Sequence, residues 1–351
     1  MTLVSSSKVD ALELAGGYRI PRIVRGGWQL AGDHGEVDRE RALSDMAVFV
    51  DAGLNTVDCA DIYAGVEDIY GEFNARRAAA GLPRQQVHTK FVPDYGDLAN
   101  VDAAYVRRIV ERSLQRLRVD RLDLVQFHWW DYKVPRFVEV AQALKALQEE
   151  GLIAQLGGTN FDAPHTEMLL DAGVPLVSMQ VQYSLLDRRP QALLAPMCAQ
   201  RGIQLLCYGT LAGGFLTERW LGLDEPVDAL SNRSLVKYKL IIDEFGGWAC
   251  FQSLLRALKA IADRHAVQLS TVAIRWVLDQ PGVAAAIVGA RYGNRISDTF
   301  EVFQLRLDAA DHALLGPILA ASAGPSGDTY SHERDKTGPH GRIMKYDLNK
   351  T

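Results

Sequence analysis

The sequence has few cysteines and no long apolar run, and both absences restrict the kind of protein it can encode. Only 4 cysteines occur among 351 residues, and they form neither a CxxC pair nor a zinc-ligand spacing. We therefore expect buried thiols in a reducing compartment rather than a disulfide framework. No apolar stretch reaches the ~20 residues of a membrane span, and the N-terminal residues lack the apolar segment of a secretory signal. These features predict a cytoplasmic protein without a membrane partner.

An excess of positive charge is also missing, because the formal net charge is -5 and the pI is about 5.9. Nucleic-acid binding needs a concentrated basic face, so we expect no nucleic-acid partner. The densest basic segment, residues 107–121, interleaves its arginines with apolar residues at helical spacing. That pattern favours a solvated helix face over a site for a polyanion.

Eight short apolar segments recur along the chain, and stretches of helical length separate them. Several of the intervening stretches place apolar residues three and four positions apart, which is the helical period. Alternating strands and helices indicate parallel pairing, and eight such strands close a (β/α)8 barrel. The predicted strands are residues 22–26, 54–58, 86–90, 122–128, 153–158, 176–182, 203–209 and 284–290.

The main alternative fold is an open, doubly wound sheet. No early GxGxxG follows a strand, as the dinucleotide-binding version of that fold requires. Polar residues follow nearly every predicted strand, and a closed barrel brings all of these strand ends to one face. We therefore predict a (β/α)8 TIM barrel over residues 1–323, with an N-terminal β-hairpin at residues 12–20 that is placed to close its lower end.

Two segments are longer than ordinary barrel connections. Residues 216–248 follow the seventh predicted strand, and residues 324–351 form a C-terminal extension; both are rich in Gly, Pro and charge. Segments of this length in a compact barrel are lids, binding loops or tails. For the extension the sequence leaves three positions open: over the barrel mouth, on the barrel exterior, or against a second subunit. The oligomeric state does not follow from the sequence.

Four residues lie at or just past the ends of predicted strands, and together they indicate a proton-transfer site: Asp58, Tyr63, Lys90 and His128. A free tyrosine holds its proton until about pH 10. We expect Lys90 to lower the pKa of Tyr63 and Asp58 to keep Lys90 charged. His128 is then placed to hydrogen-bond the oxygen that receives the proton. Each residue alone is more often a cap, a packing residue or a core histidine, so the grouping carries the prediction.

Metal and covalent chemistry have little support in the sequence. No HExxH, zinc-ligand or GxSxG pattern occurs. His332 and His340 lie in the C-terminal extension without a ligand spacing, so we expect no metal. A barrel lyase that uses Lys90 as a Schiff base is an alternative, although the neighbouring carboxylate and imidazole disfavour it.

The motifs around these residues resemble those of the aldo-keto reductases. The segments that carry the resemblance are GLNTVDCADIY, HTKF, LVQFHWW, GGTNF and QVQYSLLDRRP, and the likeness covers most of residues 15–310. The family's catalytic tetrad falls on Asp58, Tyr63, Lys90 and His128. The resemblance implies a (β/α) barrel and carbonyl reduction with a nicotinamide cofactor. QYSLLDR and LAGGFLT are similar to a branch that includes potassium-channel β-subunits and many bacterial reductases.

The resemblance also implies which residues bind the cofactor. Thr159 and Asn160 stand where a Ser-Asn pair usually holds the nicotinamide carboxamide, with Gln180 sharing that contact, and Tyr208 matches the aromatic residue that stacks on the ring. Gly-Thr replaces a common Ser-Pro at residues 209–210, and the backbone N–H groups that follow suit a diphosphate. Arginines after the final strand suit a 2′-phosphate, which favours NADPH over NADH. The full predicted set is Trp28, Thr159, Asn160, Gln180, Tyr208, Gly209, Thr210, Leu211, Gly213, Gly289, Arg291 and Arg295.

Tryptophans flank the predicted substrate pocket: Trp28, Trp129, Trp130 and Trp248. Such walls favour an apolar or aromatic carbonyl compound, and sugars also stack on tryptophan. The leading hypothesis is an NADPH-dependent reductase of an aldehyde or ketone, with Tyr63 as general acid. The alternative is an NADP(H)-binding, redox-sensing regulatory subunit with slow turnover, which would keep a similar tetrad. The physiological substrate and the direction of the reaction do not follow from the sequence.

Overall fold

The computed structural model describes residues 9–31, 37–289, 293 and 296–349. Its centre is a closed barrel of parallel strands in the order β10-β3-β4-β5-β6-β7-β8-β9, preceded by an antiparallel pair, β1 and β2. The strands are β1 (Ala11–Ala15), β2 (Tyr18–Pro21), β3 (Ile23–Gly26), β4 (Thr56–Asp58), β5 (Gln86–Phe91), β6 (Leu122–Phe127), β7 (Ile153–Thr159), β8 (Leu176–Gln182), β9 (Gln204–Tyr208) and β10 (Val283–Gly289).

Helices connect the barrel strands, and several begin at a side chain that caps the first turn. Asp102 accepts from the Tyr105 N–H, and Asp162 accepts from the His165 N–H. The α-helices are α1 (Arg39–Asp51), α2 (Val66–Ala79), α3 (Ala103–Leu117), α4 (Phe137–Glu149), α5 (Ala163–Asp171), α6 (Leu194–Gln200), α7 (Arg233–Phe245), α8 (Gly247–His265), α9 (Leu269–Leu278), α10 (Ile296–Gln304), α11 (Ala309–Ala321), α12 (Ser331–Arg334) and α13 (Pro339–Arg342). Short 3-10 helices are Trp28–Leu30, Tyr95–Asn100, Arg189–Gln191, Ala212–Gly214 and Glu218–Trp220.

The barrel confirms the predicted fold class. Each observed barrel strand begins and ends within two residues of its predicted position. Side chains alternate between the barrel interior and the layer under the helices, as the strand period requires. In β6, Leu124 belongs to the interior cluster, whereas Val125 and Phe127 belong to the core between strands and helices. Gln126 and His128 therefore share the inward side.

The N-terminal hairpin closes one end of the barrel. Gly17 makes its turn with φ +80, a conformation that glycine adopts without strain. Leu14 and Ile20 pack into the cluster of interior residues, and the Tyr18 hydroxyl lies 3.0 Å from Nε2 of His88. The interior residues of this cluster are Val24, Leu124, Leu206, Ala284, Ala285 and Ile287. The hairpin thus leaves the opposite end, where the strands finish, for a functional site.

The long connection after β9 carries a helix that the sequence interpretation did not place. Asn232 caps α7 by accepting from the Leu235 N–H. The buried positions of α7 recur at the helical period, although glycines and charges at both ends of the connection mask that pattern. They are Leu235, Tyr238, Ile241, Ile242 and Phe245.

The C-terminal extension crosses the face of the barrel on which the strands end. Asp328 accepts from the Ala163 N–H at the start of α5 (3.2 Å), and Asn349 Nδ2 donates to the Val92 carbonyl just after β5 (2.7 Å). The Tyr346 carbonyl accepts from an N–H of the 3-10 helix at residues 95–100 (2.9 Å). Of the three positions left open, the structure therefore shows the one over the barrel mouth. We call residues 324–349 the strap.

The four cysteines are free thiols, of which Cys59, Cys198 and Cys207 are buried and Cys250 is partly exposed. Among the described residues, no helix has the length and apolar character that crossing a membrane requires.

Candidate active site

A buried ion pair lies where β4 and β5 end. Lys90 Nζ donates to Asp58 Oδ2 at 2.6 Å and to the Cys59 carbonyl at 2.7 Å. Asp58 Oδ1 accepts from Gln126 Nε2 at 2.8 Å and from Gln180 Nε2 at 2.6 Å. The Asp58 and Lys90 residues are 4% and 7% exposed. Both carboxylate oxygens and the ammonium therefore have hydrogen-bond partners, and ionised groups are buried only when they have such partners.

Tyr63 lies beside this pair, in the loop after β4. The Trp28 ring meets it edge-on at a centroid distance of 4.9 Å, and Lys90 Nζ lies 5.5 Å from its ring centroid. Burial raises the pKa of the Tyr63 phenol above its ordinary value, and the Asp58 carboxylate raises it further. The expected lowering by Lys90 is not found, because the ammonium is already paired and the phenol is desolvated. Tyr63 is therefore held in its protonated form.

His128 follows β6 and is 2% exposed. Its Nδ1 lies 3.1 Å from the Thr159 carbonyl, and because a carbonyl only accepts, Nδ1 carries the hydrogen. Burial, together with the positive charges of Arg334 and Lys90, lowers the pKa of His128 to about 3, so the ring is neutral near pH 7. Nε2 then presents a lone pair, and among the described residues it has no hydrogen-bond partner. This geometry makes His128 an acceptor, where the sequence led us to expect a donor to the substrate oxygen.

Two aromatic rings enclose His128. The Trp130 ring lies 4.3 Å away and the Tyr330 ring of the strap 5.5 Å away, both nearly perpendicular to the imidazole. Trp130 Nε1 donates to the Pro93 carbonyl at 2.8 Å, and Tyr346 packs on Trp130 at 5.1 Å. Trp130 and two strap tyrosines therefore build the wall on this side of the site.

Trp129 and Trp248 do not line the site, so their prediction as pocket walls is wrong. Trp129 is fully buried and packs against Phe127, because successive residues leave a strand on opposite sides and His128 takes the inward one. Trp248 packs against Phe215 in an aromatic cluster under α7 and α8. Both indole rings are used in packing and are unavailable to a substrate.

The predicted carboxamide-binding residues converge beside the tetrad. The Tyr208 hydroxyl donates to Asn160 Oδ1 at 2.9 Å, and the Asn160 N–H donates to the Gln180 carbonyl at 2.9 Å. Asn160 has φ +62, a left-handed conformation that asparagine tolerates better than most residues. The Thr159 carbonyl accepts the hydrogen bond from Nδ1 of His128. An aromatic face and a side-chain amide thus stand next to the buried ion pair.

The loop after β9 allows close approach to its backbone. Its residues with positive φ are Gly209, Ala212, Gly213 and Gly214. A Cβ on Gly213 would lie 3.0 Å from Oγ of Ser234, so the first turn of α7 packs directly on this loop. Thr210 is buried in the loop and Leu211 is half-buried. The Ala212 and Gly214 N–H groups donate to carbonyls within the loop, and the loop lies against the N-terminus of α7, a position that favours an anion.

The predicted 2′-phosphate residues are only partly described. Gly289 ends β10 and is exposed, and a Cβ there would lie 2.8 Å from Nε2 of Gln29, next to Trp28. Arg291 and Arg295 lie outside the described residues. Their contact with a 2′-phosphate stays a prediction from the sequence.

The strap contributes site residues that sequence reasoning missed. Arg334 donates to the Trp130 carbonyl (2.8 Å), the Tyr132 hydroxyl (2.8 Å) and the Asn160 carbonyl (2.7 Å). Its guanidinium also lies 3.9 Å from the Tyr132 ring centroid. The signal in the sequence is the segment TYSHERD, which is rich in aromatic and charged residues for a chain end, but the segment does not reveal which surface it covers.

A buried ion-pair network anchors the strap. Glu333 is 0% exposed, with Arg189 Nη1 at 3.2 Å and Lys237 Nζ at 3.8 Å from its carboxylate oxygens. Arg189 also pairs with Asp187 at 2.7 Å. Burial alone would raise the pKa of Glu333, but the two cations lower it to about 2. Lys237 Nζ lies 5.3 Å from the Tyr208 ring centroid, so this anchor borders the predicted nicotinamide site.

Comparisons with known proteins agree with this geometry. The family model described as Aldo/keto reductase family matches residues 22–319. An NADH-specific methylglyoxal reductase of Escherichia coli (strain K12) is 27% identical over 86% of this chain and 95% of its own. A probable voltage-gated potassium channel subunit beta of Oryza sativa subsp. japonica is 28% identical over 82% of this chain and 89% of its own. Flagellar radial spoke protein 5 of Chlamydomonas reinhardtii is 29% identical over 68% of this chain, which spans about half (51%) of that relative's length.

A solved structure supports the same assignment. The glycerol dehydrogenase AKR11B4 from Gluconobacter oxydans matches with a TM-score of 0.76 and 27% identity, over 91% of this chain and 98% of that one. The relatives include bacterial reductases and a potassium-channel β-subunit, as the motifs predicted. The family consists of oxidoreductases that use nicotinamide cofactors, and the family model covers most of this chain. The protein therefore belongs to the aldo/keto reductase family.

Proposed function

We propose that the protein reduces an aldehyde or ketone to an alcohol with NADPH, and that Tyr63 is the general acid. The observation that carries the proposal is the buried Asp58–Lys90 pair at 2.6 Å, with the protonated phenol of Tyr63 beside it. Buried ion pairs contribute little to folding when an apolar core can replace them. The buried ion pair at the mouth of the barrel is therefore better explained by a catalytic role than by a contribution to folding stability.

The residues around Tyr208 fit a nicotinamide cofactor, which supplies a hydride when it is bound in reduced form. Tyr208 offers a ring face and Asn160 an amide at the end of the barrel, and the 209–214 loop with the first turn of α7 offers N–H groups for the diphosphate. NADPH is proposed over NADH because Arg291 and Arg295 supply two guanidinium groups after β10. The E. coli relative is named as NADH-specific, so this choice needs its own test.

Tyr63 supplies the proton in the proposed reaction. The carbonyl oxygen gains negative charge as the carbon accepts hydride, and the phenol donates its hydrogen to that oxygen. An alkoxide is a far stronger base than a phenolate, so the raised pKa of Tyr63 does not prevent the transfer. Lys90 Nζ, 5.5 Å from the ring centroid, is paired with Asp58, so its part is to hold that carboxylate beside the phenol. Nε2 of His128 accepts a hydrogen bond from the product hydroxyl and so orients the C–O bond.

We expect the full-length protein to oxidise NADPH when an aldehyde or ketone is added, and to do so faster than it oxidises NADH. The aromatic walls formed by Trp28 and Trp130 favour aromatic and apolar carbonyls over charged ones. The measurement is the absorbance of the reduced nicotinamide across a panel of such compounds with each cofactor. Tight NADPH binding without turnover of any compound would favour the regulatory-subunit alternative. A preference for NADH would refute the assignment of Arg291 and Arg295 to a 2′-phosphate.

The value of kcat/KM for reduction should stay constant between about pH 6 and about pH 9. The reaction requires protonated Tyr63, and burial raises the pKa of that phenol above 10.0. His128, with a pKa of about 3, stays neutral over the same range. Lowering of the Tyr63 pKa by Lys90 would instead make kcat/KM fall on the alkaline side within this window. Initial rates at each pH decide the question, with circular dichroism as a control for folding.

A further inference from the structure

Three side chains with metal-binding atoms meet between α7 and the strap. Glu244 lies near the end of α7, His332 is in α12 and His340 is in α13. Glu244 Oε1 is 3.1 Å from Nδ1 of His332 and 3.1 Å from Nε2 of His340. The three atoms all lie within 4.8 Å of one another. The fold therefore brings together a carboxylate and two imidazoles that the sequence separates.

Hydrogen bonding fixes which nitrogen of His332 is free to bind. Nε2 lies 2.7 Å from the Ser326 carbonyl, so Nε2 carries the hydrogen. Nδ1 of His332 then faces the Glu244 carboxylate, 3.1 Å from Oε1. A proton on Nδ1 makes this 3.1 Å contact a hydrogen bond, and a divalent ion can take the place of that proton between the same two atoms. A backbone carbonyl on the outer nitrogen is also the usual support for a metal-binding histidine.

His340 adds a second imidazole at the same carboxylate oxygen. It is 1% exposed, and its Nδ1 has no hydrogen-bond partner among the described residues. The second oxygen of Glu244, Oε2, is likewise buried and unpartnered within the part of the chain that the structure describes. The atoms without a partner are thus the outer ones, whereas Oε1 of Glu244 lies between the two rings, 3.1 Å from a nitrogen of each.

We infer that Glu244, His332 and His340 bind a divalent transition-metal ion, for which Zn²⁺ is the probe. A tetrahedral zinc ion about 2.0–2.1 Å from nitrogen and oxygen ligands requires ligand atoms about 3.3 Å apart. Both carboxylate–imidazole separations, at 3.1 Å, are close to that value. Imidazole ligands select zinc-like ions over magnesium or calcium. Three protein ligands leave a fourth position for water.

The position of the site gives the ion a role in holding the strap. His332 is next to Glu333, the buried anchor, and two residues from Arg334 and Tyr330 at the mouth. Glu244 is on α7, the helix that also carries Lys237. An ion bound here fastens the strap to α7 and slows its opening. That effect on ligand exchange rests on the proposed function, whereas binding of the ion does not.

The test uses the full-length protein after chelation and dialysis, without carbonyl compound or nicotinamide. Calorimetric titration with Zn²⁺ should give one ion per chain, and the melting temperature should rise by about 5 °C at saturation. His332→Ala and Glu244→Gln should weaken zinc binding at least tenfold and remove the thermal shift. Mg²⁺ should give neither signal.

His312→Ala is the matched control, because His312 is an exposed histidine on α11 outside the cluster. It should bind zinc as the unsubstituted protein does. Absence of zinc binding in the unsubstituted protein overturns the inference, and so does equal binding in His332→Ala with the fold intact by circular dichroism. Neither result depends on carbonyl reduction, so an inactive protein that binds zinc would refute the proposed function alone.

Discussion

Replacing Tyr63 with phenylalanine should lower kcat for carbonyl reduction by at least ~100-fold and leave NADPH binding largely unchanged. The substitution removes one hydroxyl, the proposed proton donor, and keeps the ring that packs edge-on against Trp28. The neutral His128 cannot replace it, because its only hydrogen points at the Thr159 carbonyl. Single-turnover and steady-state rates give kcat, and the quenching of protein fluorescence on titration with NADPH gives the affinity.

Tyr95→Phe is the matched control for that experiment. Tyr95 also lies at the barrel mouth, but its hydroxyl donates to Asp131 at 2.8 Å and belongs to the protein's own hydrogen bonds. Its loss should change kcat by less than about threefold, in line with the modest effect of one hydrogen bond remote from the reacting atoms. Full activity in Tyr63→Phe would assign the proton to another donor, and the hydroxyl of Tyr330 would be the next to test.

Replacing Glu333 with glutamine should destabilise the protein by about 3–5 kcal/mol, the range for breaking a buried ion pair. Lys237 loses its nearby carboxylate, Arg189 keeps only Asp187, and the replaced side chain lies at a position that is 0% exposed. The strap should also become a site of limited proteolysis. Urea unfolding measures the first effect, and mass spectrometry of the fragments locates the second.

The pH dependence follows from the same carboxylate. The pKa of Glu333 is lowered from 4.5 to about 2, so its contribution to folding stability is complete above about pH 4.5 and is lost as the pH falls toward about 2.

Glu139→Gln serves as the control for Glu333→Gln. Glu139 pairs with Arg136 at an exposed position (64% exposed), so its replacement should cost less than about 1 kcal/mol of stability. Equal stability of the two variants would mean that the buried network does not anchor the strap.

The barrel and the convergence of the proposed catalytic residues could be predicted because both depend on patterns that are local in the sequence. Asp58 and Lys90 directly end apolar strand segments, and a closed barrel brings such ends together whatever their separation in the chain. The pKa of Tyr63 could not be predicted in the same way. The direction of its shift depends first on how far the phenol is buried and then on its distance from the Asp58 carboxylate, and only the structure gives both.

The position of the strap could not be predicted from the sequence, because its contacts join residues that are far apart in the chain. Arg334 and Asn160 are 174 residues apart, and no period or motif connects them. Glu244, His332 and His340 come from three separate helices, so no spacing in the sequence indicates the metal site that we propose for them. The prediction of Trp129 as a pocket wall fails because the strand period that points His128 inward also points Trp129 outward.

Because the strap is bonded at both ends, to the Ala163 N–H and to the Val92 carbonyl, we expect it to act as a gate in the proposed reaction. Any molecule that enters or leaves the mouth waits for that gate to open. The rate of gate opening is a property of the protein and is the same for every compound, whereas the rate of the chemical step differs between compounds. Substrates whose chemical step is fast would therefore share one maximal kcat, which the opening rate of the gate sets. Selectivity among them would appear in kcat/KM.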